Sequence, residues 1–231
     1  MFIARIAAAF VLLAGQALAA SPVREIGLTV EPYYAASREA GGKPRVAVGK
    51  QYNDQLGSSR REDILAVRDR IVAAPKLVTP MTLMVLAVRL YDVGLRDDAV
   101  FWFYAAKDRT IVMAEVLDVH HPGLVQVDEA VRNFATLAGP VINGYAFCDL
   151  AKQKEQHAKA VAWVEANPYE VMFMAQLPAL PGDRGENHKR ALAGIKDNAA
   201  KERGYFEDAK NVAAFNEKRK ANEADAKFCW K

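Results

Sequence analysis

Apolar positions recur at helical spacing through most of the chain. Ser59 and Glu62 have the spacing of a capping box, and Ile64, Leu65, Val67 and Ile71 follow on one face until Pro75 stops the run. Thr79 and Pro80 then read as a capping hydroxyl with proline at the first helical position, which predicts a helix to Gly94. A third helix is expected from Arg96 to Val119. His120, His121, Pro122 and Gly123 make a turn, and a helix from Gln126 to Leu137 follows. Gly139 and Pro140 are read as opening another helix, through Cys148 and Trp163 to a stop at Asn167 and Pro168, with a short helix at Tyr169 to Gln176. Leu192, Ile195, Ala199, Phe206, Ala209 and Ala213 keep a seven-residue rhythm that predicts one long C-terminal helix packed on the body.

Two regions break the pattern. Between residues 21 and 58, prolines at 22, 32 and 44 and several glycines interrupt two short apolar stretches, Leu28 to Val30 and Val46 to Val48. Each is either a short strand or part of an extended arm, since runs this brief fit both. Pro178, Pro181, Gly182 and Gly185 mark an internal linker, residues 178–185, before the C-terminal helix. The fold class expected is therefore all-α, a layered helical bundle around the hairpin from Met81 to Arg109. It carries a partly extended N-terminal arm (21–58), and residues 59–231 form a single helical domain.

The first twenty residues change the picture of where the protein works. Arg5 precedes the apolar run Ile6 to Leu13, and small residues at Ala17, Ala19 and Ala20 complete the signal-peptide pattern, with cleavage after Ala19 or one residue later. The run is too short for the roughly 20 apolar residues that a bilayer requires, so a periplasmic or secreted protein without a stable membrane anchor is expected. With Arg5 gone, 30 basic residues face 28 acidic ones, a balance that gives no long-range reason to expect nucleic acid as a partner. Cys148 and Cys229 are the two cysteines. In an oxidising compartment pairing is the default, with Cys148 as a nucleophile the rival. A bond there closes a loop of about 80 residues and contributes at most roughly 4.5 kcal/mol.

Leu83, Leu86, Ala87 and Leu90 on the first helix of the central hairpin, the turn at Gly94, and Ala99, Phe103 and Ala106 on the second resemble one tetratricopeptide unit. His120 falls where the next unit would need a core leucine, and Ile111 stands in place of the closing proline, so the resemblance covers a single unit. It implies close antiparallel packing and, in arrays, protein binding. The stretches Phe101-Trp102-Phe103-Tyr104-Ala105 and Gly139-Pro140-Val141-Ile142-Asn143-Gly144-Tyr145-Ala146 resemble a family of uncharacterised exported bacterial proteins, which implies kinship and no activity. Four consecutive aromatic residues at about 100° per residue surround the helix. With Phe103 in the seam, Phe101 and Tyr104 lie on the far side, either covered by a second layer or exposed as a partner-binding patch.

Candidate chemistry is sparse. His120 and His121 sit at a helix end, where a histidine is favoured by the dipole; recruited with Asp118 and a distant Asp128 or Glu129, they would make a metal site or the acid and base of a hydrolase. His157 and His188 lack usual metal ligands three or four residues away. No serine lies in a nucleophile elbow, and the paired carboxylates Asp97 and Asp98 belong at a helix N-terminus for dipole reasons. The expectation is a non-enzymatic envelope protein without a cofactor that binds another protein, of inhibitor, immunity or assembly-factor type. The alternative is an envelope hydrolase or metal-dependent enzyme using His120 and His121.

Overall fold

The computed structural model describes residues 20–31 and 45–230, so residues 1–19 of the expected leader and 32–44 of the expected arm lie outside the described residues. Two three-residue strands, β1 (Thr29–Glu31) and β2 (Arg45–Ala47), pair in parallel with Val30 opposite Val46. Helices follow: α1 (Lys50–Gly57), α2 (Arg61–Ala73), α3 (Pro80–Asp92), α4 (Arg96–Ala114), α5 (Val125–Ala146) and α6 (Leu150–Ala166). After a 3-10 turn at Glu170–Phe173 come α7 (Arg184–Tyr205), α8 (Ala209–Ala221) and α9 (Ala224–Phe228). The fold is an all-α bundle with a partly extended N-terminal arm.

The bundle is organised around α3. Thr79 caps it, accepting a hydrogen bond from the Thr82 amide at 3.1 Å, and Pro80 opens it. Leu83, Met84, Val85, Leu86, Ala87, Val88 and Leu90 are all fully buried, so no face of this helix meets water. Each large side chain buried this way contributes about 1.5–3 kcal/mol. Packing α3 takes several neighbours: α1, α2, α4 and α5 all contact it. Gly94, at φ +82°, makes the tight return into α4, and the small Ala99, Ala105 and Ala106 let α4 sit close among α3, α5, α6 and α7.

Several boundaries differ from the sequence reading. Helix α2 starts one residue later than the Ser59–Glu62 box implies and has no side-chain cap; Ser58 instead accepts from the Arg60 amide and donates to the Asp63 carboxylate at 2.6 Å just ahead of the first turn. The segment assigned wholly to the arm ends in α1, whose sequence is polar except for Tyr52 and Leu56, the two residues it buries. Helix α5 runs through Pro140, and the break falls instead at Phe147–Asp149, where Asp149 caps α6 by accepting from the Lys152 amide. Proline is tolerated because Pro140 and Thr136, one turn earlier, are exposed, so the carbonyl it leaves without a donor faces water.

Helix α7 is the long C-terminal helix, with Ile195 and Ala199 buried, but the seven-residue rhythm stops at Phe206. Asp208 caps a new helix, α8, which leaves Ala209 and Ala213 exposed. Phe206 and Phe215 close on Phe147 of the body with ring centroids 5.1–5.5 Å apart, which fixes the turn. The expected linker is strapped down: the Asp118 amide donates to Pro178 O and the Leu180 amide to Val116 O, both at 3.1 Å.

The first and last described segments meet. The Val23 amide donates to Lys227 O at 2.8 Å, and Tyr91 Oη and Trp230 Nε1 both donate to Val23 O. Arg96 lies between the Tyr145 and Trp230 rings, 4.5 and 3.9 Å from their centroids. Phe228 sits so close on Gly144 that a Cβ there would meet its ring at 2.5 Å. Cys148 and Cys229 complete the clasp in disulfide geometry, with Cα atoms 5.6 Å apart.

A buried cation joins two loops through three carbonyls. Arg109, 1% exposed, donates to Pro75 O and Val78 O before α3 and to Asn167 O after α6, with the Trp163 ring 4.6 Å away. Burial depresses its pKa to about 10, so it remains charged at neutral pH. Arg109→Ala strips a donor from three carbonyls and is expected to lower the unfolding free energy by about 3 kcal/mol in urea titration. A loss below about 1 kcal/mol would mean that water replaces the guanidinium there.

Candidate functional site

Apart from the cysteine pair, Cys148 and Cys229, the residues singled out in the sequence do not converge. His120 and His121 are both exposed in the turn after α4; His121 Nδ1 accepts from the Gly123 amide at 3.1 Å, and the His120 amide donates to Asp118. Asp128 is turned inward and paired with Arg132 at 2.6 Å, while Glu129 is exposed. Among the described residues, no group of three or more His, Cys, Asp or Glu side chains is gathered as a metal ion requires. Of the two aromatic residues considered as a partner-binding patch, Tyr104 is 2% exposed and out of a partner's reach. Phe101 is half-buried, edge-on to Trp102 and Trp163.

Tyr104 belongs to a buried polar network that joins four helices. Its hydroxyl donates to Asn143 of α5 at 3.1 Å and accepts from Gln153 Nε2 of α6 at 3.0 Å, and its ring stacks on His157 of α6 at 4.5 Å. His157, 6% exposed, stands between two carboxylates, with Nε2 3.5 Å from Asp108 of α4 and Nδ1 3.3 Å from Glu202 of α7. Burial alone would depress the imidazole, but Asp108 and Glu202 outweigh it and hold its pKa at about 9. Glu202 answers in the opposite direction: burial pushes its carboxyl up, and His157 and Gln153 pull it below its usual range. The protonated imidazole and its flanking carboxylates therefore form an ionic clamp between α4, α6 and α7.

A pocket of about 110 Å³ opens outside this network between α4, α5 and α6, lined by Asp97, Tyr145, Lys152, Gln153 and Gln156 beside Cys148. Asp97 accepts from Tyr145 Oη at 2.7 Å and pairs with Lys152 Nζ at 2.5 Å. Burial would raise the Asp97 pKa, but Lys152 and Tyr145 hold it below the usual carboxylate range. The Tyr145 hydroxyl is pushed up to about 12 by burial and then by Asp97. Gln153 links pocket and network, and its Oε1 is buried without a hydrogen-bond partner. The lining offers charge and hydrogen bonds for a small polar guest, and it holds no histidine, serine or threonine.

Sequence reasoning missed the network because it looked for partners along one helix, whereas the partners of His157 lie on α4 and α7. A usable signal was present. Gln153 and His157 continue the buried stripe of Ala160, Val161 and Val164, so two polar side chains occupy core-facing positions of α6.

The sign of the pH effect follows from the shift. With the folded-state pKa of His157 raised from 6.5 to about 9, its stabilisation is complete below pH 6.5 and is lost as pH rises through about 9. Urea titrations across that window are expected to show stability falling towards alkaline pH. In His157→Gln that fall should flatten, with about 3 kcal/mol lost at neutral pH because the two carboxylates remain without their cation. Parallel curves for both proteins would rule out the clamp.

No family model matches the chain, and no solved structure matches it. A protein of Haemophilus influenzae described as an uncharacterized protein is 32% identical over 222 residues, spanning 96% of this chain and 85% of the relative. At that identity and coverage, the chain belongs to the same family as the Haemophilus protein.

Proposed function

We propose that the chain is exported, loses residues 1–20 as a leader, and works in the periplasm or outside the cell as a non-enzymatic protein that binds another protein, as an inhibitor, immunity or assembly factor does. The observation that carries this reading is exposed apolar surface on two neighbouring segments. Val72 in the last turn of α2 and Leu77 after it, 63% exposed, lie on one; Phe173 of the 3-10 turn and Met174 after it, 46% exposed, lie on the other. The two segments are joined by the Glu170 amide donating to Lys76 O and by a Lys76–Glu170 ion pair at 2.7 Å, so they lie side by side. Exposed apolar clusters of this kind are typical of protein contacts.

Pocket size points the same way. Two cavities among the described residues, about 110 Å³ and about 180 Å³, are smaller than the roughly 300–1,000 Å³ of ordinary small-molecule sites. Export is supported by the disulfide geometry of Cys148 and Cys229, and among the described residues no helix is long and apolar enough to cross a membrane. The α3–α4 hairpin is read as one tetratricopeptide-like unit, within a single helical domain that follows the arm of residues 21–58.

The test uses the C-terminally tagged protein exported in its own host, with mild crosslinking and mass spectrometry of the envelope fraction. Wild type is expected to capture one stoichiometric protein, and the Leu77→Asp, Met174→Asp double variant to lose it while melting at an unchanged temperature. Equal capture by both proteins, or none by wild type, contradicts the proposed surface.

A further inference from the structure

The pair Cys148–Cys229 is not walled in by the fold. Cys148 is exposed and Cys229 half-buried, at the edge of the polar pocket lined by Asp97 and Lys152. A shielded guanidinium stands over both sulfurs: Arg219 of α8, with its side chain 11% exposed, places Nη2 3.2 Å from Cys229 Sγ and 3.6 Å from Cys148 Sγ. It is held there by Gly144 O at 3.3 Å and by Asp225, which accepts from Nε and Nη2 at 3.2 and 2.8 Å. Asp225 is itself 3.5 Å from Cys229 Sγ, but its side chain is 78% exposed, so water weakens its field more than that of Arg219. Cys148 directly precedes Asp149, the cap of α6, and therefore stands at the positive end of that helix. A cation and a helix N-terminus both favour thiolate over thiol. A disulfide that is exposed and whose thiolates are stabilised is of the labile kind, exchanged rather than merely structural.

We propose that Cys148–Cys229 is an exchange site for a dithiol, attacked at Cys148 with Cys229 as the leaving sulfur. A thiolate of the dithiol attacks the exposed Sγ of Cys148, the Cys148–Cys229 bond breaks, and its electron pair departs on Cys229 Sγ beside Arg219. The second thiol of the donor, deprotonated in turn, attacks the donor sulfur of the mixed disulfide and releases Cys148 as thiolate. The two protons given up by the dithiol are returned to the two cysteines through water. The dithiol is oxidised to its disulfide, the protein pair is reduced to two thiols, and the covalent tie on the clasp between the first and last described segments is cut. The choice of sulfur follows from the geometry, since the nucleophile needs access and the leaving thiolate gains most where the guanidinium is nearer.

The oxidised mature chain is treated with reduced glutathione, quenched in acid, alkylated with N-ethylmaleimide, and the site of the mixed disulfide is read by peptide mass spectrometry. Glutathione is expected on Cys148 in clear excess over Cys229. In a second measurement, dithiothreitol should reduce Arg219→Gln about threefold or more slowly than wild type, because the leaving thiolate loses its neighbouring cation, with Arg219→Lys close to wild type. Adduct chiefly on Cys229, an unchanged Arg219→Gln rate, or reduction that speeds up with urea in step with global unfolding would each overturn the proposal. Should Arg219→Gln not fold, the adduct position and the urea dependence in wild type still decide.

Discussion

Everything else in this fold follows from one constraint, that α3 has no face for water. A helix whose side chains from Leu83 to Leu90 are apolar nearly all round is stable only inside a shell, and the chain supplies that shell from every direction. α1, α2, α4 and α5 all pack on it, while the N-terminal arm is tied to its end through Asp92, which accepts from the Ile26 and Gly27 amides. Because α4 is pressed between α3 and α6, it too is surrounded, and its aromatic residues Trp102, Phe103 and Tyr104 become interior.

Burying two successive helices carries polar groups inside with them, and those groups hold the outer layers in register. Arg109 comes in on α4 and finds carbonyls in place of a carboxylate, so it stitches loops. Asp108, its neighbour in sequence, points towards α6 and α7, where His157 and Glu202 complete an ion pair array. Each group is costly to bury alone, and the arrangement is stable only when all partners are present. The chemistry-bearing residues of the interior are thereby committed to holding helices together. What remains for a partner is the outer surface: the apolar end around Leu77 and Met174, the small polar pocket at Asp97 and the sulfur pair beside it.

Local signals in the sequence were sufficient where a single residue decides the backbone. Thr79 with Pro80 wrote the start of α3, and Gly94 wrote its end, because a cap and a left-handed turn depend on few neighbours. The sequence was less informative where tertiary context decides. Pro140 reads as a helix start and is in fact carried inside α5, since its solvent-facing position removes the penalty. The polar stretch from Lys50 to Leu56 gave little sign of α1, which is helical because Tyr52 and Leu56 reach the core. His157 and Arg109 find their partners on other helices and in loops tens of residues away, so no spacing along the chain could pair them. The surface around Leu77, Phe173 and Met174 was equally hidden, because nothing local says that a loop before α3 and a turn after α6 lie together.

The most direct test is native-state hydrogen exchange of the mature, oxidised chain. The amides of Leu83 to Leu90 should exchange last, only through global unfolding, with a free energy equal to that from urea titration, while α8 and α9 exchange through smaller openings. If the amides of α3 instead exchange through local opening well below the global free energy, or if α7 outlasts them, then α3 is not the element on which the shell is built.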